Sequence, residues 1–154
     1  ALPGNLEQGK HLFFNVSTVQ CKSCHRIGTG KEQMGPDLTE IGKKYNRKEI
    51  LEHIVEPSKK IEDKYKAYTV LDSDGRVTRG LIMKKTEDEM VLKTADNQEI
   101  RIANDAIEEM KASPKSILPD QLFRDLTAQQ AADILAYLAS LKPTEKTAAN
   151  TEGP

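Results

Sequence analysis

Tryptophan is absent from this sequence, and other aromatic residues are few, with three Phe and four Tyr in 154 residues. No apolar stretch approaches the roughly 18 residues that a transmembrane helix needs, so no membrane span is predicted. Neither sign of charge dominates, because 23 Lys and Arg face 24 Asp and Glu. This balance excludes an electrostatically driven nucleic-acid-binding protein and argues against extended disorder over most of the chain.

The length of the chain favours one globular domain, which at 154 residues can fold without disulfides or structural metals. Hydrophobic residues make up 37% of the sequence and charged residues 31%, an ordinary composition on the polar side. So few aromatic residues are unusual in a core that is packed by side chains alone. They are less unusual where a large flat cofactor occupies part of the interior.

The only two cysteines stand close together and are followed by a histidine, as Cys21-Lys22-Ser23-Cys24-His25. Cys-x-x-Cys-His is the attachment motif of c-type haem. Thiols at this spacing can each form a thioether with one vinyl group of the porphyrin, and the next side chain then offers an imidazole nitrogen to the iron. The sequence therefore predicts one haem c, bound covalently through Cys21 and Cys24, with His25 as the proximal iron ligand.

Three other interpretations of the motif fit less well. A structural zinc site needs four ligands, and the sequence offers no third cysteine and only His11 and His53 besides. A thioredoxin-like pair opens the helix of a βαβ unit, whereas here a helical pattern precedes the motif and a glycine-rich loop follows it. A structural disulfide over so short a loop would contribute little.

Covalent haem attachment also predicts the compartment. Thioether formation is carried out outside the cytoplasm in bacteria, so we expect a periplasmic or otherwise exported protein. The sequence begins at Ala1 with no methionine and no charged-then-apolar leader. That start suits a mature protein whose signal peptide has been removed, or a trimmed chain.

Hydrophobic periodicity and capping residues predict three helices, at residues 5–14, 47–55 and 128–141. Asn5, Asn46 and Thr127 are suitable N-caps, each with Glu or Gln three positions later. Between them, β-branched residues and turn signals predict about four antiparallel strands in an insertion at residues 64–104. We place the strands at residues 65–71, 77–83, 90–94 and 99–103. Residues 143–154 contain no large apolar side chain and predict a disordered tail.

Four motifs resemble those of class I cytochromes c: Gly9-x-x-x-Phe13, Cys21-x-x-Cys24-His25, Gly35-Pro36-Asp37-Leu38 and Leu135-Ala136-Tyr137-Leu138. The resemblance implies a mainly α fold, with the small sheet inserted before the last helix of one cytochrome c domain at residues 1–142. It also implies that the first and last helices cross, with Gly9 facing Tyr137. The carbonyl of Pro36 would accept a hydrogen bond from the proximal imidazole and so orient it.

The similarity is greatest to the Pirellula/Verrucomicrobium-type haem-binding domain, in which a β-rich stretch interrupts a cytochrome c fold. The segments that carry it include Ile54-Val55-Glu56-Pro57, Asp74-Gly75-Arg76-Val77 and Ser113-Pro114-Lys115-Ser116. The chain departs from that pattern before the last helix, where Ser-x-Met-Pro supplies the second axial ligand. Here Leu118 replaces the methionine and, lacking a lone pair, cannot bind iron, although it remains the residue expected at the distal face.

Several residues are then candidates for the sixth coordination position. Met110 is the best protein ligand among the methionines, since Met34 precedes the proximal loop and Met83 and Met90 belong to strands. His11 and His53 lie on predicted helices and are weaker candidates. The remaining alternative is a five-coordinate or water-bound iron beneath Leu118.

The resemblance implies a monohaem electron carrier that transfers single electrons between redox partners, and not an enzyme. Residues 1–60 hold ten Lys and Arg against seven Asp and Glu, which favours an acidic redox partner. The basic residues expected near the haem are Lys22, Lys31, Lys43, Lys44, Arg47 and Lys48. The family often occurs as a module of a larger dehydrogenase. The alternative function is binding or sensing of CO or NO at an open sixth site; a peroxidase is a weaker third interpretation.

Overall fold

The computed structural model describes residues 2–31 and 34–143, and the chain divides into two compact units. The first unit comprises Ala1–Val55 and Gln121–Pro154, and the second comprises Glu56–Asp120. In the described ranges, no helix is both long enough and apolar enough to cross a bilayer. Of the predicted disordered tail, residues 144–154 lie outside the described residues.

The first unit is helical. Its described residues form α1 (Leu6–Asn15), α2 (Cys21–Cys24), α3 (Ile41–Lys44), α4 (Arg47–Val55) and α5 (Ala128–Ser140). The three predicted helices are confirmed to within one residue, because side-chain caps fix their starts. The Asn5 side chain accepts a hydrogen bond from the amide of Gln8, and Thr127 and Gln130 form a capping box. The two four-residue helices are too short to produce a periodic signal and were not predicted.

Helices α1 and α5 approach each other closely, as the resemblance implies. A Cβ added at Gly9 would lie 2.0 Å from the carbonyl oxygen of Asp133 and 2.7 Å from Cβ of Tyr137. Only glycine allows this approach of the two backbones. The Phe13 and Tyr137 rings then meet at 6.2 Å between centroids. Around this crossing lies the core of the unit: Leu12, Phe13, Ile50, Ile134, Leu135, Tyr137 and Leu138.

The second unit is an antiparallel sheet in the order β4-β3-β2-β1-β5. Its strands, within the described residues, are β1 (Ala67–Asp72), β2 (Val77–Lys85), β3 (Glu89–Lys93), β4 (Glu99–Ala103) and β5 (Ile107–Ala112). Val70, Met90, Leu92 and Ile102 form its buried core. The sheet therefore has a hydrophobic cluster separate from that of the helices.

The predicted fold class is wrong in its balance, because the protein is not mainly α. Of the described residues, 33% are helical and 22% lie in strands of a five-stranded sheet. The strand missing from the prediction is β5, which pairs with β1 at the edge of the sheet. It is mostly exposed and carries Glu108, Glu109 and Lys111, so it lacks the alternation of apolar residues that predicts a strand. Backbone pairing with β1, rather than its own side chains, makes it a strand.

Candidate functional site

The Cys-x-x-Cys-His segment occupies one short helix and the residue after it. Helix α2 begins after Gln20, whose positive φ of 44° turns the chain into the helix. The amide of His25 donates to the carbonyl of Cys21 at 3.0 Å, closing the single turn. Cys21 and Cys24 are therefore one helical turn apart, and both are half-buried thiols.

The imidazole of His25 is fixed by the segment that carries Pro36. Its Nδ1 donates to the Pro36 carbonyl oxygen at 2.8 Å. Backbone hydrogen bonds of 2.8 Å flank this contact: the Gly35 amide donates to Cys24, and the Leu38 amide donates to the carbonyl of Arg26. Because Nδ1 is committed as a donor, Nε2 carries the lone pair that can bind a metal.

Gly35 lets the backbone lie directly against the His25 ring. A Cβ at this position would fall 2.5 Å from Cε1, 2.7 Å from Nδ1 and 3.0 Å from Nε2 of the imidazole. No side chain larger than hydrogen fits there unless the ring moves. Gly35 and Pro36 thus determine the orientation of His25 together, one by shape and the other by hydrogen bonding.

Burial controls the protonation of the site. It lowers the pKa of His25 below 6.5, and the hydrogen bond to Pro36 only partly opposes this effect. The imidazole is therefore neutral at pH 7, which is the form that binds iron. Burial also raises the pKa of the Cys21 thiol to about 11; its backbone hydrogen bond opposes this rise, and the nearby Cys24 adds to it. Cys21 is accordingly a protonated thiol at neutral pH.

These residues fit a c-type haem. Two thiols one turn apart suit two vinyl groups, and the neutral imidazole presents Nε2 while Nδ1 holds its orienting bond. The arrangement is typical of proteins that attach haem through a Cys-x-x-Cys-His motif.

The family follows from comparison with known proteins. The family model described as cytochrome c matches residues 6–91, which is more than half of the chain. The chain therefore belongs to the cytochrome c family, and membership supports haem binding and an electron-carrier role rather than catalysis. No curated protein is a significant match.

The structure brings Cys21, Cys24, His25 and Pro36 together within the first unit. The other predicted site residues, Leu118 and Met110, belong to the second unit, and their roles stay predictions. Leu118 is half-buried, and its amide donates to the hydroxyl of Ser116 at 3.1 Å.

Met110 lies in β5 opposite Val70 and is 39% exposed. The two weaker histidine candidates lie on helices of the first unit. His11 contacts the Asn15 amide at 3.3 Å, and the His53 ring lies 4.6 Å from that of Tyr45.

Sequence reasoning missed two groups of polar residues that organise loops. Arg26, Asp37 and Thr39 form a network beside the His25–Pro36 contact. In the second unit, Arg79 of β2 donates to the carbonyls of Lys115 at 2.8 Å and Ser116 at 3.2 Å. The Asp37–Thr39 contact is local, between residues two positions apart. Nothing local signals the pairing of Arg26 with Asp37 or of Arg79 with the carbonyls of Lys115 and Ser116, since each forms only when separate segments meet.

Proposed function

We propose that this protein is a monohaem c-type cytochrome that carries single electrons between redox partners. The observation that carries the proposal is the Cys21-x-x-Cys24-His25 turn with His25 Nδ1 held by the Pro36 carbonyl. A bound haem supplies an iron that alternates between ferric and ferrous states without the making or breaking of substrate bonds. The protein itself supplies attachment, orientation and a neutral nitrogen ligand.

Attachment is an addition reaction that needs no oxidant. The thiol of Cys21 would hold the haem by adding its S–H across one vinyl C=C, so that a C–S bond would form and the hydrogen would go to the other vinyl carbon. Cys24 would hold the second vinyl group in the same way. Because no atom leaves, the mass of the protein increases by that of one whole haem.

His25 would hold the iron through Nε2, while Pro36 keeps the imidazole ring in its orientation. The hydrogen bond to Nδ1 increases the basicity of the imidazole, which would favour the ferric state of a bound haem and a lower reduction potential. On the resemblance, we propose Leu118 as the distal residue. Met110 is the protein side chain to test as a sixth ligand.

We propose an acidic redox partner that docks on exposed lysines of the first unit. Lys22, Lys31, Lys43, Lys44 and Lys48 are exposed. Arg47, included in the predicted basic group, is half-buried and donates to the carbonyls of Leu2 at 2.6 Å and Ala132 at 3.4 Å. It therefore has a structural role in anchoring the N-terminal segment to α5, and we leave it out of the docking surface.

The haem-attachment motif also supports a proposal for the cellular compartment, and the inserted sheet supports one for the subfamily. We propose that the protein is periplasmic or otherwise exported, because bacteria form the thioethers outside the cytoplasm. The inserted sheet supports membership of the Pirellula/Verrucomicrobium-type branch, whose domains often form modules of larger dehydrogenases.

Intact mass spectrometry tests the main proposal on protein from cells that mature c-type cytochromes. We expect the polypeptide mass plus one haem, and absorption of a haem with both vinyl groups saturated. Cys21→Ala and Cys24→Ala should each retain one thioether and shift the reduced absorption band towards that of a haem with one free vinyl group. A wild-type mass equal to that of the bare polypeptide would overturn the proposal.

Optical spectra of the same preparation identify the sixth ligand. A ferric methionine–iron charge-transfer band that Met110→Ala removes would identify Met110. A five-coordinate ferrous spectrum that CO converts at once would show an open position and exclude Met110.

A further inference from the structure

The contact between His25 and Pro36 joins two residues that are well separated along the chain. The two residues are eleven positions apart, and Gly28 and Gly30 between them have positive φ of 91° and 136°. Glycines increase the number of conformations open to such a segment. A hydrogen bond across it keeps a fixed length only when other contacts hold the two ends together.

Backbone hydrogen bonds from the Gly35 and Leu38 amides provide some of these contacts, and three side chains add to them. Arg26 donates through Nη2 to Oδ2 of Asp37 and through Nη1 to the carbonyl of Gly30. Oδ1 of Asp37 accepts from the Thr39 hydroxyl at 2.5 Å and from the Thr39 amide at 2.9 Å. The Thr39 hydroxyl in turn accepts from the Gly28 amide at 2.8 Å. We call the side chains of Arg26, Asp37 and Thr39 the Arg26 network.

The network is placed to act on the imidazole, because two of its three members directly follow the two residues of the His25–Pro36 contact. Arg26 directly follows His25, and Asp37 directly follows Pro36. The ion pair between them therefore joins the two loops one residue beyond the hydrogen bond. Thr39 connects Asp37 to Gly28, which lies two residues after Arg26, because its hydroxyl donates to Asp37 and accepts from the Gly28 amide. The segments that follow His25 and Pro36 are therefore joined at two places.

The negative charge of Asp37 strengthens the hydrogen bonds of the Arg26 network. Burial acts to raise the pKa of Asp37, but hydrogen bonds from Thr39 and Arg26 together outweigh it and lower the pKa below 3.8. The carboxylate is therefore ionised at neutral pH and accepts charge-assisted hydrogen bonds, which are the stronger kind. The Nε of Arg26 is buried without an acceptor among the described residues, so contacts of the two terminal nitrogens hold the guanidinium in place.

We propose that Arg26, Asp37 and Thr39 are positioning residues that hold the Pro36 carbonyl on Nδ1 of His25 and thereby set the basicity of the iron ligand. This inference rests on the proposed haem function. When the network is broken, the carbonyl moves from Nδ1, the imidazole becomes a weaker donor and ferric iron is less stabilised. The reduction potential then rises.

Variants of the haem-loaded protein test the proposal. Asp37→Asn removes the charge, and Thr39→Val removes the hydroxyl while keeping the shape of the side chain. Thr39→Ser keeps the hydroxyl and serves as its matched control. Arg26→Gln is compared with Arg101→Gln, which breaks an exposed ion pair with Glu89 between β3 and β4. For each variant we would measure haem content, thermal stability, reduction potential and, by NMR, solvent exchange of the His25 Nδ1 proton.

We expect Asp37→Asn, Thr39→Val and Arg26→Gln to speed exchange of the Nδ1 proton about tenfold and to raise the reduction potential. Thr39→Ser and Arg101→Gln should match the wild type in both measurements. Lower thermal stability with unchanged proton exchange and potential would show a merely structural role and overturn the inference, while covalent haem in every variant would leave the proposed function intact. Absence of covalent haem from the wild type would overturn both.

Discussion

At the scale of the single residue, the site depends on an unusually close contact between a ring and a backbone. The His25 imidazole occupies the space that a side chain on Gly35 would need. A Cβ at that position would lie within 3.0 Å of three atoms of the ring. Its Nδ1 is held at 2.8 Å by the next residue, Pro36. One dipeptide therefore supplies both the space and the acceptor that orient the imidazole.

Gly35→Ala should displace the His25 ring, because the new methyl group would overlap Cε1 and Nδ1. We expect a loss of stability of about 1–3 kcal/mol from overpacking, together with a raised reduction potential as the Pro36 bond lengthens. Potentiometry and chemical unfolding of the haem-loaded protein measure the two effects.

Gly75→Ala is the control for this variant. It adds the same methyl group in the second unit, where no atom lies within 4 Å, although its φ of 80° costs about 1–2 kcal/mol in backbone strain. Its reduction potential should equal that of the wild type. An equal rise in both variants would contradict the steric explanation.

At the scale of elements, local hydrogen bonds determine where helices and turns begin. The capping box of α5 joins Thr127 and Gln130, with the Gln130 amide donating to the Thr127 hydroxyl at 3.1 Å. In the sheet, the Asp72 carboxylate accepts from the amides of Asp74 and Arg76, both at 3.0 Å, and so fixes the turn between β1 and β2. Both devices satisfy backbone donors that would otherwise lack partners.

Thr127→Ala should lower the free energy of unfolding by about 1 kcal/mol, since the first turn of α5 loses its side-chain acceptor. Thr127→Ser keeps the hydroxyl and should lose much less. Urea unfolding followed by circular dichroism makes the comparison. Equal stability of the alanine and serine variants would show that the cap contributes nothing.

The turn at Asp72 should make stability depend on acid pH. The backbone hydrogen bond from Arg76 is the largest cause that lowers the pKa of Asp72 below 3.8; burial opposes it, and the Arg76 side chain adds to it. Because the folded-state pKa is the lower one, the stabilisation is present above 3.8 and is lost as the pH falls through the folded-state value.

Asp72→Asn should therefore be less stable than the wild type at about pH 7, and the difference should narrow as the pH falls through the folded-state pKa, which lies below 3.8, and the wild-type carboxyl also becomes protonated. Urea midpoints measured at neutral pH and over an acid pH series test this. Asp125→Asn, at an exposed ion pair with Arg124, serves as the surface control. A difference that stays constant with pH would contradict the role of the carboxylate.

At the scale of the whole molecule, charge is distributed unevenly although it nearly cancels. The overall balance is −1, yet residues 1–60 carry a surplus of basic side chains. Lys43 and Lys44 end the short helix α3 and are exposed. A local basic surface of this kind accelerates encounters with anions even when the net charge is small.

Oxidation of the reduced protein by ferricyanide should slow several-fold as ionic strength rises, because salt screens attraction between the anion and these lysines. The double variant Lys43→Glu/Lys44→Glu should react more slowly at low salt, and Lys115→Glu in the second unit is its control. With the cationic oxidant tris(phenanthroline)cobalt(III), the effects should reverse. Rates that do not respond to salt would contradict electrostatic steering.

Features that depend on neighbours along the chain could be predicted from the amino-acid sequence. The N-termini of α1 and α5 are set by Asn5 and Thr127, which cap amides three residues later. The spacing of Cys21 and Cys24 corresponds to one helical turn. The close approach at Gly9 was also predictable, through a family resemblance.

The remaining features could not be predicted, because they form only when segments that are distant in sequence come together in the fold. Strand β5 exists because β1 offers it backbone partners, although its charged residues do not themselves predict a strand. Arg47 belongs to an internal anchor rather than a docking surface only because Leu2 and Ala132 reach it. The ion pair of the Arg26 network likewise forms only when two loops meet. No local sequence pattern predicts which carboxylate the Arg26 guanidinium pairs with in the folded protein.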